Sequence, residues 1–187
     1  MERGLPLSVS FARRSGERGW VEPVVACRVW KWRAPFGLGS PLIGSCWRPR
    51  LPLRALCVWP DWLRVGPTGG PVLPPHRSPC AGCVCGISAC RTFEQALSTP
   101  AFGADYVVAG EVALWGKVLE DERGLCGEFA YPRTLALIEA SFTPRHPRRR
   151  PLKAPLLRAA MAQLRSFNVP LACLPAWDEL ASLSSGE

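Results

Sequence analysis

The stretch that decides the fold is DYVVAGEVALWGKVLEDERGLCGEFAYPRTLALIEA, residues 105–140. Small and apolar side chains alternate with polar or larger ones from Val108 to Val118, which is the period of a strand with one face in the core. The apolar pattern resumes after the polar segment EDERG. We therefore predict two antiparallel strands, at about 106–120 and 125–131, joined by a hairpin in which Gly124 adopts a positive φ.

Other strand signals surround this hairpin. Gly110 and Gly116 interrupt the first strand and predict bends or bulges there. The segment PVVACRVWKW, residues 23–32, begins as an apolar run and then alternates, so it is also predicted to be a strand. Weaker signals predict short strands near 42–45 and 135–138, an extended segment at 169–174, and a strand or one helical turn within 52–65.

Two segments have the pattern of a helix. Thr92 is a suitable N-cap for a short helix that ends before Pro100. The segment APLLRAAMAQLRSFN, residues 154–168, carries a proline in its first turn and an apolar stripe at helical spacing, so a helix ending near Asn168 is predicted. Together these elements predict an α+β fold, in which a small antiparallel sheet and two or three short helices are connected by long loops.

Composition limits the organisation of the chain. With 187 residues, 48% of them hydrophobic, the chain can bury a core without cross-links. No run of eighteen apolar residues is present, so no membrane-spanning helix is expected. We predict a mobile arm at 1–19, a single domain at 20–175 and a C-terminal helical turn and tail at 176–187. Two subdomains meeting near 76–100 are the alternative.

The N-terminus and the cysteines bear on location. The short apolar stretch near the N-terminus precedes Arg13, Arg14 and Arg18, whereas a signal peptide places its charges first. The nine cysteines are an odd number, which does not favour a framework of disulfides. We therefore expect a cytoplasmic protein.

The segment HRSPCAGCVCGISAC, residues 76–90, concentrates potential metal ligands. Thiolate sulfur and imidazole nitrogen are the ligands of tetrahedral Zn²⁺. Cys80 and Cys83 have zinc-knuckle spacing, but no second matching pair follows, so a further ligand would come from Cys57. Buried thiols in a hydrophobic core and a redox pair are alternatives that the spacing leaves open. The segment offers five candidate ligands: His76, Cys80, Cys83, Cys85 and Cys90.

Basic and aromatic residues suggest a partner. The net charge is +8, and the segment TPRHPRRRP, residues 143–151, could contact phosphates. The residues predicted to do so are Arg145, Arg148, Arg149 and Arg150. A solvated loop is the alternative for this segment, and core packing is the alternative to base stacking for the tryptophans. No P-loop, dinucleotide fingerprint, GxSxG or HExxH motif is present.

The chain resembles a family of small bacterial proteins found in actinobacteria and other GC-rich groups, to which no activity is assigned. The resemblance runs through ACRVWKW, LRALC, HRSPCAGCVCGISA, VAGEVALWGKVLEDERGLCGEFAYP and FNVPL. The family pattern implies a metal set of Cys57, His76, Cys83 and Cys85, with Cys80 and Cys90 outside it. This chain departs from the pattern at Ser88 and at residues 125–127, where the family often has aromatic residues.

The function predicted from these features is a non-catalytic binding module. It would hold a structural zinc ion and contact nucleic acid or an acidic protein through its basic residues, with no membrane partner. One alternative is an enzyme that uses a cysteine thiolate near His76. A metal-free scaffold protein is the other.

Overall fold

The structure, a computed structural model, describes residues 22–41, 45–57, 76–80, 83, 85–99, 104, 106–122, 124–138 and 154–174. These residues form an eight-stranded sheet and two helices. The strands are β1 (Val24–Arg33), β2 (Gly37–Gly39), β3 (Leu53–Arg54), β4 (Ile87–Ala89), β5 (Tyr106–Asp121), β6 (Gly124–Pro132), β7 (Leu135–Ile138) and β8 (Leu171–Leu174). The helices are α1 (Phe93–Leu97) and α2 (Ala154–Arg165).

The predicted hairpin is confirmed as β5 and β6, which pair antiparallel. Gly124 follows the turn with a φ of 138°, and Gly116 has a φ of 76° within a register shift between Trp115 and Val118. Gly110 does not mark a bulge, because it pairs in register with Arg28 of β1. The predicted strands β1 and β7, and the extended segment that forms β8, are also confirmed.

The sheet curls into a half-barrel around β5. One edge of β5 pairs with β1, and the other pairs with β7 near its start and with β6 towards its end. β3 and β4 both pair with β6. Directly after β4, Cys90 exchanges two backbone hydrogen bonds with Cys27 of β1, at 2.8 and 2.7 Å. Because β4 pairs with β6, this contact connects the part of the sheet around β6 to the edge of β1 that faces away from β5.

Both faces of the sheet are covered where β1, β5 and β7 meet. Alternate residues of β1, including Trp30 and Trp32, enter the larger core with the apolar side of α2. Val29, on the opposite face of the strand, joins a smaller cluster that contains residues of α1, β7 and β8. Arg28 lies on the Trp30 side, buried over the ring of Trp47. The strand therefore has no solvent face in its middle.

The prediction of an α+β fold with two or three helices is wrong. Half of the described residues lie in strands and 16% in helices, so the protein is mostly β. Both predicted helices form, with Thr92 as the N-cap of the first, but α1 has only 5 residues. The prediction missed β2 and β4, three-residue strands that are defined by their pairing partners more than by their own apolar period.

Several other expectations fall on residues outside the described ranges. These include the arm at 1–19, the tail at 176–187 and most of the strand predicted near 42–45. The domain division stays a prediction. Within the part of the chain that the structure describes, no helix is long and apolar enough to cross a membrane.

Candidate metal centre

The segment that carries three of the candidate ligands is fastened to β6. Arg77 donates two hydrogen bonds to Oε1 of Glu128, from Nε at 2.8 Å and from Nη2 at 2.7 Å. The thiol of Cys126, two residues earlier on β6, donates to the backbone carbonyl of Cys85 at 3.3 Å. Because His76 precedes Arg77 directly, these contacts position both His76 and Cys85.

The structure brings Cys57, His76, Cys83 and Cys85 together. Their ligand atoms all lie within 4.8 Å of one another, and the group could hold a metal ion. Cys57 lies shortly after β3, so it approaches the other three from a different part of the chain. Cys85 is buried, and the other three side chains are half-buried. The four side chains are those that the family resemblance implies.

Two of the separations are close to those of a tetrahedron around one ion. With Zn–S bonds of about 2.3 Å and Zn–N bonds of about 2.0–2.1 Å, ligand atoms in a tetrahedron lie roughly 3.6–3.8 Å apart. The Sγ atoms of Cys57 and Cys83 are 3.9 Å apart, and Nε2 of His76 is 3.3 Å from Sγ of Cys85. A disulfide requires about 2.05 Å, so the first pair is present as two thiols.

The neighbouring groups favour one thiolate in the cluster. Burial alone would raise the pKa of Cys85, but hydrogen bonds with Ser78, His76 and Cys83 outweigh it and lower this pKa to about 7. Burial raises the pKa of Cys83 to about 12; a backbone hydrogen bond at Cys85 opposes this rise, whereas side-chain hydrogen bonds with Cys85 and Cys57 add to it. Without an ion, Cys85 therefore gives its proton up most readily and Cys83 keeps its proton until a metal ion displaces it, since metal binding releases the protons of its thiol ligands.

Ser78 supports the same state of Cys85. Its hydroxyl is buried and meets no partner at ordinary hydrogen-bond geometry among the described residues, yet it lies close enough to Cys85 to stabilise a thiolate. A buried hydroxyl without a partner is costly, and an anionic sulfur is an acceptor that would satisfy it. The donors of this segment therefore fit a deprotonated, metal-binding Cys85.

Gly86 allows the chain to leave the cluster. Its φ is 119°, a conformation that L side chains rarely adopt, and a Cβ atom there would collide with Sγ of Cys126. This glycine turns the backbone from Cys85 into β4. The turn between the two thiols and the strand therefore explains the glycine in the sequence Cys-x-Cys-Gly-Ile.

The remaining cysteines of the segment lie outside the group. Cys80 contributes its backbone carbonyl, which accepts a hydrogen bond from the amide of Cys83 at 3.1 Å, and this turn places Cys83. Cys90 lies against Cys27 in the bridge to β1. The ligand group found among the described residues includes neither.

The structure describes only some of the residues that were considered for partner binding. Arg145, Arg148, Arg149 and Arg150 fall outside the described ranges. Three of the tryptophans, for which core packing was the alternative to base stacking, are buried: Trp30, Trp32 and Trp47.

Sequence reasoning missed Arg77 and Glu128. A glutamate inside the apolar strand CGEFAYP is a signal that could have identified a buried ion pair, because buried carboxylates require partners. Glu128 is indeed only 2% exposed.

Comparison with known proteins adds no further residue role. No protein-family model, curated protein or solved structure matches the chain. The chemistry of the site is therefore interpreted from its own geometry.

Proposed function

We propose that the protein is a non-catalytic binding module whose fold is held by a structural zinc ion on Cys57, His76, Cys83 and Cys85. The observation that carries this proposal is the convergence of three sulfur atoms and one imidazole nitrogen within 4.8 Å. A set of three thiolates and one imidazole suits Zn²⁺ better than it suits Mg²⁺ or Ca²⁺, which prefer oxygen. Four protein ligands leave no position for water or substrate, which is typical of structural zinc.

The ion would join two parts of the chain that are distant in sequence. Cys57 follows β3, and the other ligands lie in the segment that leads into β4. Both strands pair with β6, so zinc would fix the separation of their ends on that strand. The energetic benefit is the metal-binding free energy itself, because an unfolded chain does not hold four ligands in one place.

A thiol enzyme is the second candidate, and one observation favours it. The pKa of Cys85 is lowered to about 7, and His76 contacts its sulfur at 3.3 Å. However, Cys85 is only 3% exposed, so a substrate has little access to its sulfur. A lowered pKa is equally required of a metal ligand, and the zinc proposal also accounts for Cys57 and Cys83.

Metal analysis of protein purified without added zinc tests the proposal. We expect one zinc per chain, and we expect a strong chelator to remove it and unfold the protein. Cys83→Ser should lose the metal, whereas the matched control Cys173→Ser, on the exposed side of β8, should retain it. A fully folded wild-type protein without metal, together with rapid alkylation of Cys85 at neutral pH, would support the thiol enzyme instead.

The partner part of the proposal rests on sequence. The run Arg145, Arg148, Arg149 and Arg150 is expected to contact phosphates of nucleic acid or carboxylates of an acidic protein. Binding to a nucleic acid should weaken steeply with salt and should be lost when the run is changed to glutamine. Binding that does not depend on salt would contradict this role.

A further inference from the structure

Basic residues on β3, on β5 and in the segment after His76 lie around Glu128 of β6. Arg54 of β3 and Arg77 both approach Oε1 of the buried Glu128, at 4.0 and 2.7 Å from their Nη2 atoms. The backbone amide of Lys117 donates to Oε2 of the same carboxylate at 3.3 Å. One carboxylate thus contacts two guanidinium groups and the backbone of Lys117, so the two arginines exceed it by one positive charge.

The two guanidinium groups are anchored but open to solvent. The side chain of Arg54 is 59% exposed and that of Arg77 is 71% exposed, although both approach a carboxylate that is 2% exposed. Lys117 is also exposed. Because five N–H donors are available on each guanidinium, both arginines keep donors for an anionic ligand after they have contacted Glu128.

Flat groups lie beside these charges. The guanidinium of Arg54 lies over the ring of Phe129, 5.7 Å from its centroid. Phe129 in turn stacks against Trp115, with centroids 6.1 Å apart and an angle of 13° between the ring planes. Arg54, Phe129 and Trp115 therefore form a ladder of planar groups, with the exposed guanidinium at one end.

We propose that this basic ladder surface, formed by Arg54, Arg77, Lys117, Phe129 and Trp115, binds single-stranded nucleic acid. A nucleic-acid strand carries regularly spaced phosphates and flat bases, and the surface offers cations beside a planar stack. A base stacks on the guanidinium of Arg54, and neighbouring phosphates contact Arg77 and Lys117. An acidic protein would use the charges but not the stack. The inference rests on the binding-module part of the proposed function and assigns it a surface.

The test is fluorescence-anisotropy titration of the full, zinc-loaded chain with four labelled probes of equal length. These are a dT oligonucleotide, an rU oligonucleotide, an abasic oligonucleotide with the same phosphates, and poly-glutamate. We expect the first two to bind with strong salt dependence and the abasic probe to bind about tenfold more weakly, because stacking of one base contributes about 1–3 kcal/mol. The ratio of dT to rU affinity distinguishes a DNA ligand from an RNA ligand.

Variants separate stacking from charge. Arg54→Gln should weaken binding about tenfold, whereas Lys117→Gln, which removes a phosphate contact, should reduce the salt slope by about one. Arg54→Lys should keep the slope but lose the preference over the abasic probe, since an ammonium has no plane to stack on. The matched control Arg133→Gln removes another exposed arginine, paired with Glu111 at 3.8 Å, and should leave the affinity for the oligonucleotides within twofold.

Three outcomes would overturn the inference. Equal affinity for abasic and dT probes would exclude stacking, and tighter binding of poly-glutamate would identify an acidic protein as the partner. Oligonucleotide binding that is lost on changing Arg145, Arg148, Arg149 and Arg150 but is unaffected by Arg54→Gln would refute this surface while preserving the proposed function. Circular dichroism and zinc content verify that each variant is folded.

Discussion

Replacing Arg77 with glutamine should destabilise the protein more than replacing its partner Glu128 with glutamine. The two residues form one ion pair, but Glu128 is 2% exposed whereas Arg77 is 71% exposed. In Arg77→Gln the carboxylate stays buried, and among the described residues it keeps the Lys117 amide at 3.3 Å and the Arg54 guanidinium at 4.0 Å. In Glu128→Gln the freed guanidinium turns to water, which solvates it at little cost.

The magnitudes follow from this asymmetry. Removing one partner of a buried pair costs about 3–5 kcal/mol. We expect about 2–3 kcal/mol for Arg77→Gln, because Arg54 partly compensates the charge, and about 1–2 kcal/mol for Glu128→Gln, because the hydrogen bonds are lost without leaving a buried charge. Each kilocalorie corresponds to a shift in Tm of roughly 2–4 °C for a chain of this length.

Urea unfolding of the zinc-saturated variants measures both effects, and the double variant gives the coupling between the two residues. The exposed pair of Arg91 and Glu120, 3.0 Å apart, provides a control, since Glu120→Gln should cost less than about 0.5 kcal/mol. Arg77→Gln should also lower zinc affinity about tenfold, because Arg77 holds the segment that carries His76. The reasoning is refuted if Glu128→Gln is the more costly change, or if both cost as little as the control.

Three further changes have defined outcomes. Gly86→Ala should cost about 3 kcal/mol in urea unfolding and weaken zinc binding, because the φ of 119° is strained for alanine; an unchanged variant would contradict the turn described here. Tyr131→Phe should cost about 1–3 kcal/mol by calorimetry, because the phenol accepts from the amide of Arg50 at 2.8 Å and donates to the carbonyl of Phe167 at 2.9 Å. Burial raises the pKa of Cys27 to about 11 from an ordinary 9.0, so its stabilising contribution is complete below pH 9 and is lost as the pH rises towards 11. Cys27→Ala should accordingly lose less stability than the wild type between pH 9 and 11, and equal losses would contradict a raised pKa for this half-buried thiol.

The β5–β6 hairpin could be predicted because its apolar period and its polar turn are local properties of the sequence. The half-barrel could not be predicted, because it depends on short strands whose formation is decided by the strands they pair with and not by their own sequence pattern. β4 lies within the cysteine-rich segment, where metal-ligand spacing dominated the interpretation. Arg28 illustrates a related difficulty, since a charged residue in an apolar strand gives no local signal that its guanidinium will be buried over Trp47.

The metal site could be predicted in part, because the residue types of its ligands are also a local property of the sequence. Residue types identified the segment 76–90 as rich in metal ligands, but spacing alone left Cys80 and Cys90 as candidates. Which sulfur atoms meet is decided by the path of the backbone. The backbone carbonyl of Cys80 accepts a hydrogen bond from the amide of Cys83, and this turn places Cys83 in the group. The pairing of β3 with β6 brings Cys57 to the same group from a distant part of the sequence. No local pattern encodes either contact.

The bridge between Cys27 and Cys90 has a consequence for self-association. An open strand edge is a template on which a second polypeptide can add by backbone pairing, and long apolar edges promote aggregation. The edge of β1 that faces away from β5 is occupied by β2 at residues 31–33 and by Cys90 at residue 27. The interval between these contacts, residues 28–30, is too short for a foreign strand to add. Among the described residues, the middle of the outer edge of β1 is thus shielded from fibril-like growth.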